Sequence, residues 1–294
     1  MNNSELIISK LNNKYPPNEL ESILNGLKVN RKVSLRINNL KSNFEEIDKV
    51  LKNSNISFSK LNFYDNAIII DNDNEAKIRE LDIYNDGKIY LQSLSSMIPP
   101  LVLDAKANEN ILDMCAAPGG KTSEICALSN NTVMITACEK NKIRTERLKY
   151  NLDKLGCKKV NILNNDSRRL DNFLKFDKIL LDAPCSGSGT LNLNEDNNNF
   201  NEDLINRSVR FQTELLSKAF ELINIGGTII YSTCSIFDEE NDGVVDIVSK
   251  KYNFDVEKIS INLDKAELLD SKYGLLIKPN EYYEGFYVSK LIKK

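Results

Sequence analysis

Two short segments carry a cysteine among small polar residues: Asp182-Ala-Pro-Cys185-Ser-Gly187 and Ser232-Thr-Cys234-Ser235. A thiolate adds readily to an electron-poor ring carbon, and the carbon beside the point of addition then becomes electron-rich enough to attack in its turn. A second thiol close to the first can assist its later expulsion. The plainer alternative is that each is a buried small hydrophobe, the usual state of a free cysteine. That alternative suits Cys126, Cys138 and Cys157, which fall within or near regular elements. Cys185 and Cys234 instead stand just past the ends of predicted strands. The chain has no histidine, so Ser-His-Asp and Cys-His catalysis are excluded, and proton transfer falls to carboxylates, lysine, thiols or water.

The run Asp113-Met-Cys-Ala-Ala-Pro-Gly-Gly-Lys-Thr122 admits three readings. A phosphate-binding G-x-x-x-x-G-K-[ST] loop needs glycine at 115, where cysteine stands, and a dinucleotide-binding G-x-G-x-x-G is absent. The third reading is a loop for S-adenosylmethionine, which carries no phosphate and needs only small residues for close backbone approach. Ala116, Ala117, Gly119 and Gly120 provide them. Glu139, ending the next strand, can accept hydrogen bonds from two ribose hydroxyls, and Asp166, after the third, can reach an adenine amino group. Together with the thiols this composes a methyl transfer to a pyrimidine ring. Carbon 5 of cytosine is too weak a nucleophile unaided, a thiolate at C6 activates it, and Asp182 and Lys121 stand where they could stabilise the ring charge.

The elements that must hold these residues are legible as alternating strands and helices. Strands are predicted at Ile111–Met114, Val133–Glu139, Val160–Leu163, Lys178–Asp182 and Thr228–Ser232, and further strands at Phe254–Ile259 and Gly285–Leu291. Helices are predicted through Ala127, over Asn141–Leu155, Glu202–Asn224 and Asp238–Lys250, the last with acidic residues at its start. The alternation implies an α/β fold, a Rossmann-like, doubly wound and mostly parallel sheet whose ligands sit at the carboxyl ends of its strands. Before it, helix-like Ser4–Asn13, Asn18–Leu27 and Asn43–Asn53 and strand-like Lys32–Ile37 and Ala67–Ile70 suggest a small α+β module. The expected division is 1–95 for this module and 96–294 for the catalytic domain. The Asn-rich Leu191–Asn199 reads as a loop.

At 294 residues, 41% hydrophobic and 28% charged, the chain is of globular type. Six cysteines without a C-x-x-C pair give no support to a zinc site or a disulfide framework, so no metal is expected. No signal-peptide order opens the chain and no apolar run approaches a membrane span, which places it in the cytoplasm with no membrane partner. The net charge of -3 does not itself suggest nucleic acid, yet Lys140–Lys159 holds eight basic residues against Glu146 and Asp153, most simply the solvated face of a helix. A monomer is the default expectation.

The segments Cys115–Thr122 (CAAPGGKT), Leu181–Gly187 (LDAPCSG) and Ser232–Ser235 (STCS) resemble the Nol/Nop/Sun (RsmB/NOP) family of RNA cytosine-5 methyltransferases. Ser34–Asn38, Ile89–Ser96 and Glu284–Lys290 add to the likeness, which runs from about Lys32 to the end. It implies a class I methyltransferase fold, S-adenosylmethionine as cofactor, and Cys234 as nucleophile with Cys185 aiding product release. It further implies cofactor contacts at Cys115–Lys121, Glu139, Asp166 and Asp182, an RNA-binding N-terminal module, and a loop or single-stranded cytosine in ribosomal or transfer RNA as target. Glu139 stands where the family more often has aspartate, and no additional RNA-binding domain is expected after the last strand. The competing readings are a methyltransferase of the same fold acting on DNA or protein with a structural Cys234, and an idle RNA-binding module.

Overall fold

The computed structural model describes residues 3–12, 14–71, 74–195 and 200–294. Two helices, α1 (Asn3–Leu11) and α2 (Pro17–Gly26), open the chain. They precede β1 (Ser34–Ile37), α3 (Phe44–Asn53), β2 (Phe58–Lys60), β3 (Ala67–Ile70), α4 (Glu75–Glu80), α5 (Asp82–Asn85) and β4 (Ile89–Leu91). The four strands form one antiparallel sheet in the order β2-β3-β1-β4. Asn43 starts α3 as expected, its side chain accepting from the Glu46 amide at 3.0 Å.

This sheet is covered on both faces. Leu35, Ile37, Ile68 and Ile70 pack with Ile47 and Leu51 of α3, whereas Ala67 and Ile69 join the core of the following domain. Both β1, whose segment Lys32–Ile37 alternates in sequence, and β3, a short apolar run, are therefore buried throughout. Ile7, Leu11, Leu20, Ile23 and Leu27 of the first two helices pack with residues of the large sheet rather than with the small one.

The large sheet follows α6 (Leu94–Leu103), a helix unread in the sequence because it contains Pro99 and Pro100. One carbonyl freed by these prolines, that of Ser96, accepts from Gln92 at 3.2 Å. Next come β5 (Asn110–Asp113), α7 (Gly120–Leu128), β6 (Met134–Cys138), α8 (Lys142–Leu155), β7 (Val160–Leu163) and β8 (Phe176–Asp182). Then follow α9 (Glu202–Leu222), β9 (Ile223–Thr233), α10 (Asp242–Ser249), β10 (Phe254–Val256), β11 (Leu268–Asp270), β12 (Gly274–Ile277) and β13 (Phe286–Lys293). The order is β11-β12-β13-β9-β8-β5-β6-β7, with β10 also on β13. The five strands β7, β6, β5, β8 and β9 are parallel, and β10 to β13 are antiparallel additions.

Two expectations need adjustment. The predicted helix Asp238–Lys250 is a 3-10 turn at Asp238–Glu240 followed by α10. The predicted strand Thr228–Ser232 is longer, β9 beginning at Ile223 with Gly226 and Gly227 inside it. The hairpin of β11 and β12 was not legible because its strands are only three and four residues long. Of the Asn-rich loop, residues 191–195 are described and 196–199 lie outside the described residues. Among the described residues no helix is long and apolar enough to cross a membrane.

Candidate active site

Chain order places β5 centrally, with β6 and then β7 on one side and β8 and then β9 on the other, so the topological switch opens a crevice at the carboxyl ends of β5 and its neighbours. The loop 114–119 fills one part of it. Gly119 has φ +106°, which a side chain would strain, and a Cβ there would also meet the Leu148 side chain at 3.0 Å. A Cβ on Gly120 would meet the Tyr90 ring at 3.0 Å, so the small residues let β4 of the first sheet close against the loop. Lys154 and Tyr84 continue this junction, with the lysine Nζ 4.2 Å from the ring centroid. The backbone of the loop is tied to α8, with Arg144 donating to Ala117 O at 2.7 Å and Asn151 to Pro118 O at 2.7 Å.

A cleft with about 580 Å³ of free space lies against this loop. Its walls include Asp113, Cys115–Pro118, Gly120, Lys121, Asp182 and, from the preceding segment, Tyr90–Ser93 and Ser96. A second cleft begins on the other side of Cys115 and is lined by Glu139, Asp166, Phe211 and Leu215. Thus the predicted residues Cys115–Pro118, Gly120, Lys121, Asp182, Glu139 and Asp166 are gathered into two adjoining clefts, and Gly119 lines neither.

Electrostatics separates their duties. Glu139 is buried, accepts from the Asn141 amide at 2.8 Å and pairs with Arg144 at 3.2 Å. Asp166 is held below the usual carboxylate range by the Arg168 side chain, which reaches it at 2.5 Å. Burial pushes Asp113 up to about 6, opposed by the hydrogen bond from Thr122 and reinforced by the charge of Asp182. The Cys115 thiol is pushed well up by burial and by Asp113, Asp182 and Glu139 around it, which makes it a wall residue rather than a nucleophile.

Lys121 donates to Asp182 Oδ2 at 2.7 Å and to Ser96 Oγ at 2.7 Å, while Ser232 donates to Asp182 Oδ1 at 2.8 Å. Burial works against the ammonium, but the Asp182 carboxylate outweighs it and Lys121 stays above its usual value. The register pairs Asp182 with Ser232, so the two cysteine loops leave adjacent strands side by side. The sulfurs of Cys185 and Cys234 face each other at 2.7 Å, both half-buried and free. Its hydrogen bond to the Cys234 sulfur, together with burial and the charges of Cys234 and Glu240, pushes Cys185 well above the ordinary thiol range. A tight backbone contact supports the pair: Gly189 N donates to Cys234 O at 3.0 Å and Gly285 N to Gly189 O at 2.9 Å. A Cβ on Gly189 would lie 1.9 Å from Gly285 O.

Sequence reading missed several contributors. Tyr90, Ser96 and Asp113 had a faint signal, since the first two lie in the Ile89–Ser96 run and the third opens the Asp113–Thr122 run. Phe211 had none, because it sits mid-helix like any core aromatic. Its ring receives Lys140 at 4.2 Å and Arg168 at 4.3 Å to the centroid. The basic stretch of α8 is otherwise the solvent-facing surface expected of it.

This sheet order, with a loop of small residues after the first parallel strand, defines a class I, Rossmann-like methyltransferase fold. The chain belongs to the family described as 16S rRNA methyltransferase RsmB/F, whose model matches residues 100–292, and residues 4–77 match the ferredoxin-like domain of RsmF/B-like methyltransferases. It is 36% identical over 255 residues to a 28S rRNA (cytosine-C(5))-methyltransferase of Mus musculus, covering 85% of this chain and 32% of that protein. A tRNA (cytosine(72)-C(5))-methyltransferase of Pyrococcus horikoshii is 34% identical, over 74% of this chain and 55% of its own length. The chain therefore spans between about a third and somewhat over half of these curated relatives. A solved methyltransferase homologue from Pyrococcus horikoshii superposes with a TM-score of 0.78 at 27% identity, covering 100% of both chains.

Proposed function

We propose that this protein methylates C5 of a cytosine in ribosomal or transfer RNA, with Cys234 as the attacking group and S-adenosylmethionine as the methyl source. The carrying observation is the pair of thiols at 2.7 Å on the ends of adjacent strands, beside a Lys121–Asp182 ion pair. In this reading residues 1–95 engage the RNA and residues 96–294 carry the chemistry, in the cytoplasm and as a monomer.

The clefts fit S-adenosylmethionine by the chemistry of their walls. Small residues at 115–120 admit close backbone approach, Glu139 offers acceptors for ribose hydroxyls, Asp166 for an adenine amino group, and Asp182 counters a positive charge. Phe211, Leu215 and Met114 give an apolar face for a base. When bound, the cofactor supplies an electrophilic methyl on a cationic sulfur.

The residues of the chain do the rest. The sulfur of Cys234 bonds to C6, and the electron pair of the C5–C6 bond moves toward C5 and the N3–O2 end of the ring. Lys121, held in place by the Asp182 carboxylate, is the cation able to meet that charge. After methylation a base takes the C5 proton, the C5–H electron pair restores the ring double bond, and the electrons of the Cys234–C6 bond depart with the sulfur. Cys185, held in its protonated form and adjacent to Cys234, is the group placed to assist that departure.

The test uses wild type, Cys185→Ala and Cys234→Ala expressed in cells and run on denaturing gels with and without ribonuclease. A retarded, ribonuclease-sensitive band for Cys185→Ala alone is the expected result, and sequencing the trapped RNA names the target. A retarded Cys234→Ala reverses the roles, and the absence of any adduct removes the thiol assignment. Methyl transfer to DNA or protein but not to RNA would select the other polymer as substrate.

A further inference from the structure

Glu240 has no part in the chemistry above, yet its side chain is fully buried. It accepts from Ser186 N at 2.7 Å, Ser186 Oγ at 2.5 Å, Ser235 Oγ at 2.6 Å and Gln212 Nε2 at 3.2 Å. All four partners donate, so both oxygens act only as acceptors and the site suits a carboxylate. Among the described residues no lysine or arginine forms an ion pair with it. A buried anion without a cation is costly unless hydrogen bonds replace its water, and here four do.

The partners are placed tellingly. Ser186 follows Cys185 in the chain and Ser235 follows Cys234, so one carboxylate grips the residue after each thiol. Because the Ser235 proton is committed to Glu240, Ser188 is the donor in its 2.9 Å contact with Ser235, and it accepts in turn from Ile236 N at 3.0 Å. Gln212 ties the same carboxylate to α9 and donates also to Pro184 O at 2.9 Å, just before Cys185. Glu240 itself is anchored through its carbonyl, which accepts from the Tyr231 hydroxyl at 2.5 Å.

We propose that Glu240 is a positioning residue that fixes the two active-site thiols relative to each other by holding both cysteine loops from a single buried carboxylate. The inference rests on the two-thiol reading for its functional meaning, though not for its geometry. It has an electrostatic corollary. Cys234 and Glu240 both oppose ionisation of Cys185, while only the Gly187 amide favours it. Cys185 is thereby favoured in its protonated form, facing the Cys234 sulfur.

The experiment compares wild type with Glu240→Gln, whose amide must turn a donor toward Ser186 or Ser235. The first readout needs no RNA: diamide oxidises the Cys185–Cys234 pair to a disulfide, the two thiols losing two hydrogens and diamide gaining them. Mass mapping gives the rate. The second readout is methylation of bulk cellular RNA, with kcat and the KM for S-adenosylmethionine separated. Glu240→Gln is expected to slow disulfide formation about tenfold and to lower kcat on the order of 100-fold, with KM changed by less than about twofold. Should Glu240→Gln fail to fold, Ser186→Ala and Ser235→Ala each remove one grip and are each expected to slow the disulfide several-fold. Wild-type rates of disulfide formation and methylation in Glu240→Gln, or in both serine variants, overturn the proposal. A slowed disulfide together with an RNA adduct on Cys234→Ala upholds the positioning role and sinks the assignment of the nucleophile.

Discussion

Two fully buried carboxylates join separate segments of this protein, and they do so by different means. Glu240 draws together the loops after β8 and β9 through four neutral donors, every one aimed at an oxygen. Glu124 of α7 meets Arg36 of β1 across the junction between the two sheets, at 3.9 Å. Around this second pair the hydrogen bonds are fewer. Gln92 Nε2 donates to Glu124 Oε2 at 2.7 Å, Arg36 Nε to Gln92 Oε1 at 3.0 Å and Arg36 Nη2 to Ser123 Oγ at 2.8 Å. Arg36 Nη1 and Glu124 Oε1 have no hydrogen-bond partner among the described residues. A carboxylate with all its acceptor directions filled fixes positions closely, whereas an arginine–glutamate pair with spare valences holds two bodies together without dictating their last ångström. The first is what two reacting sulfurs need. The second suffices for seating a small sheet against α7.

The sharpest way to break this contrast is Arg36→Ala. The guanidinium is wholly buried, so its removal leaves a cavity and deprives Gln92 and Ser123 of a donor. A loss of about 3–5 kcal/mol is expected in urea unfolding, with the double variant Arg36→Met, Glu124→Leu recovering much of it. A cost under about 1 kcal/mol would mean that the junction is held by apolar packing alone.

Neither carboxylate was legible in the sequence, and the reasons are physical. Asp238, Glu239 and Glu240 read together as acids complementing a helix N-terminus, and Lys10 and Lys14 do reach the first two. Only the 3-10 turn points Glu240 inward, toward partners 5, 28 and 54 residues away in the chain. Arg36 alternates with Leu35 and Ile37, which on a one-sided sheet places it in solvent; the sheet is covered on both faces, and the alternation misleads. The site itself was far easier to read. Asp113–Thr122, Asp182–Cys185 and Thr233–Cys234 each stand at the end of a short apolar run, and the rule that ligands gather at strand carboxyl ends then brings them together. Strand periodicity located the points, while the contacts that fix them to within an ångström depend on side chains from several distant segments.

A smaller effect concerns pH. Burial pushes Glu124 up to about 8, with Arg36 and the Gln92 hydrogen bond pulling the other way. Its carboxyl has an ordinary value of 4.5. Between these values the native state holds a proton that the unfolded chain has released, so stability falls as pH rises from about 5 toward about 8 and levels off above. The slope from this group is at most about 1.4 kcal/mol per pH unit. Glu124→Gln should flatten that decline in urea midpoints measured across the range. An unchanged slope would show that the pair stays ionised throughout and is held as closely as Glu240.

The smallest expected effect discriminates best between the two regions. Ser123 Oγ accepts from Arg36 and donates to Gly120 O at 2.8 Å, two residues from Lys121, so it is as near to the chemistry in sequence as Ser186 is. Ser123→Ala removes both bonds. Because the junction already tolerates unfilled valences, the expected cost is about 1 kcal/mol in stability. The kcat for bulk RNA should stay within about twofold, against the much larger loss expected when a grip on the cysteine loops is cut. Measured side by side, Ser123→Ala and Ser186→Ala carry the same chemical deletion into two buried networks. Equal losses of kcat would mean that both networks position the reacting groups, and that α7, through Lys121, is held to the same tolerance as the thiols.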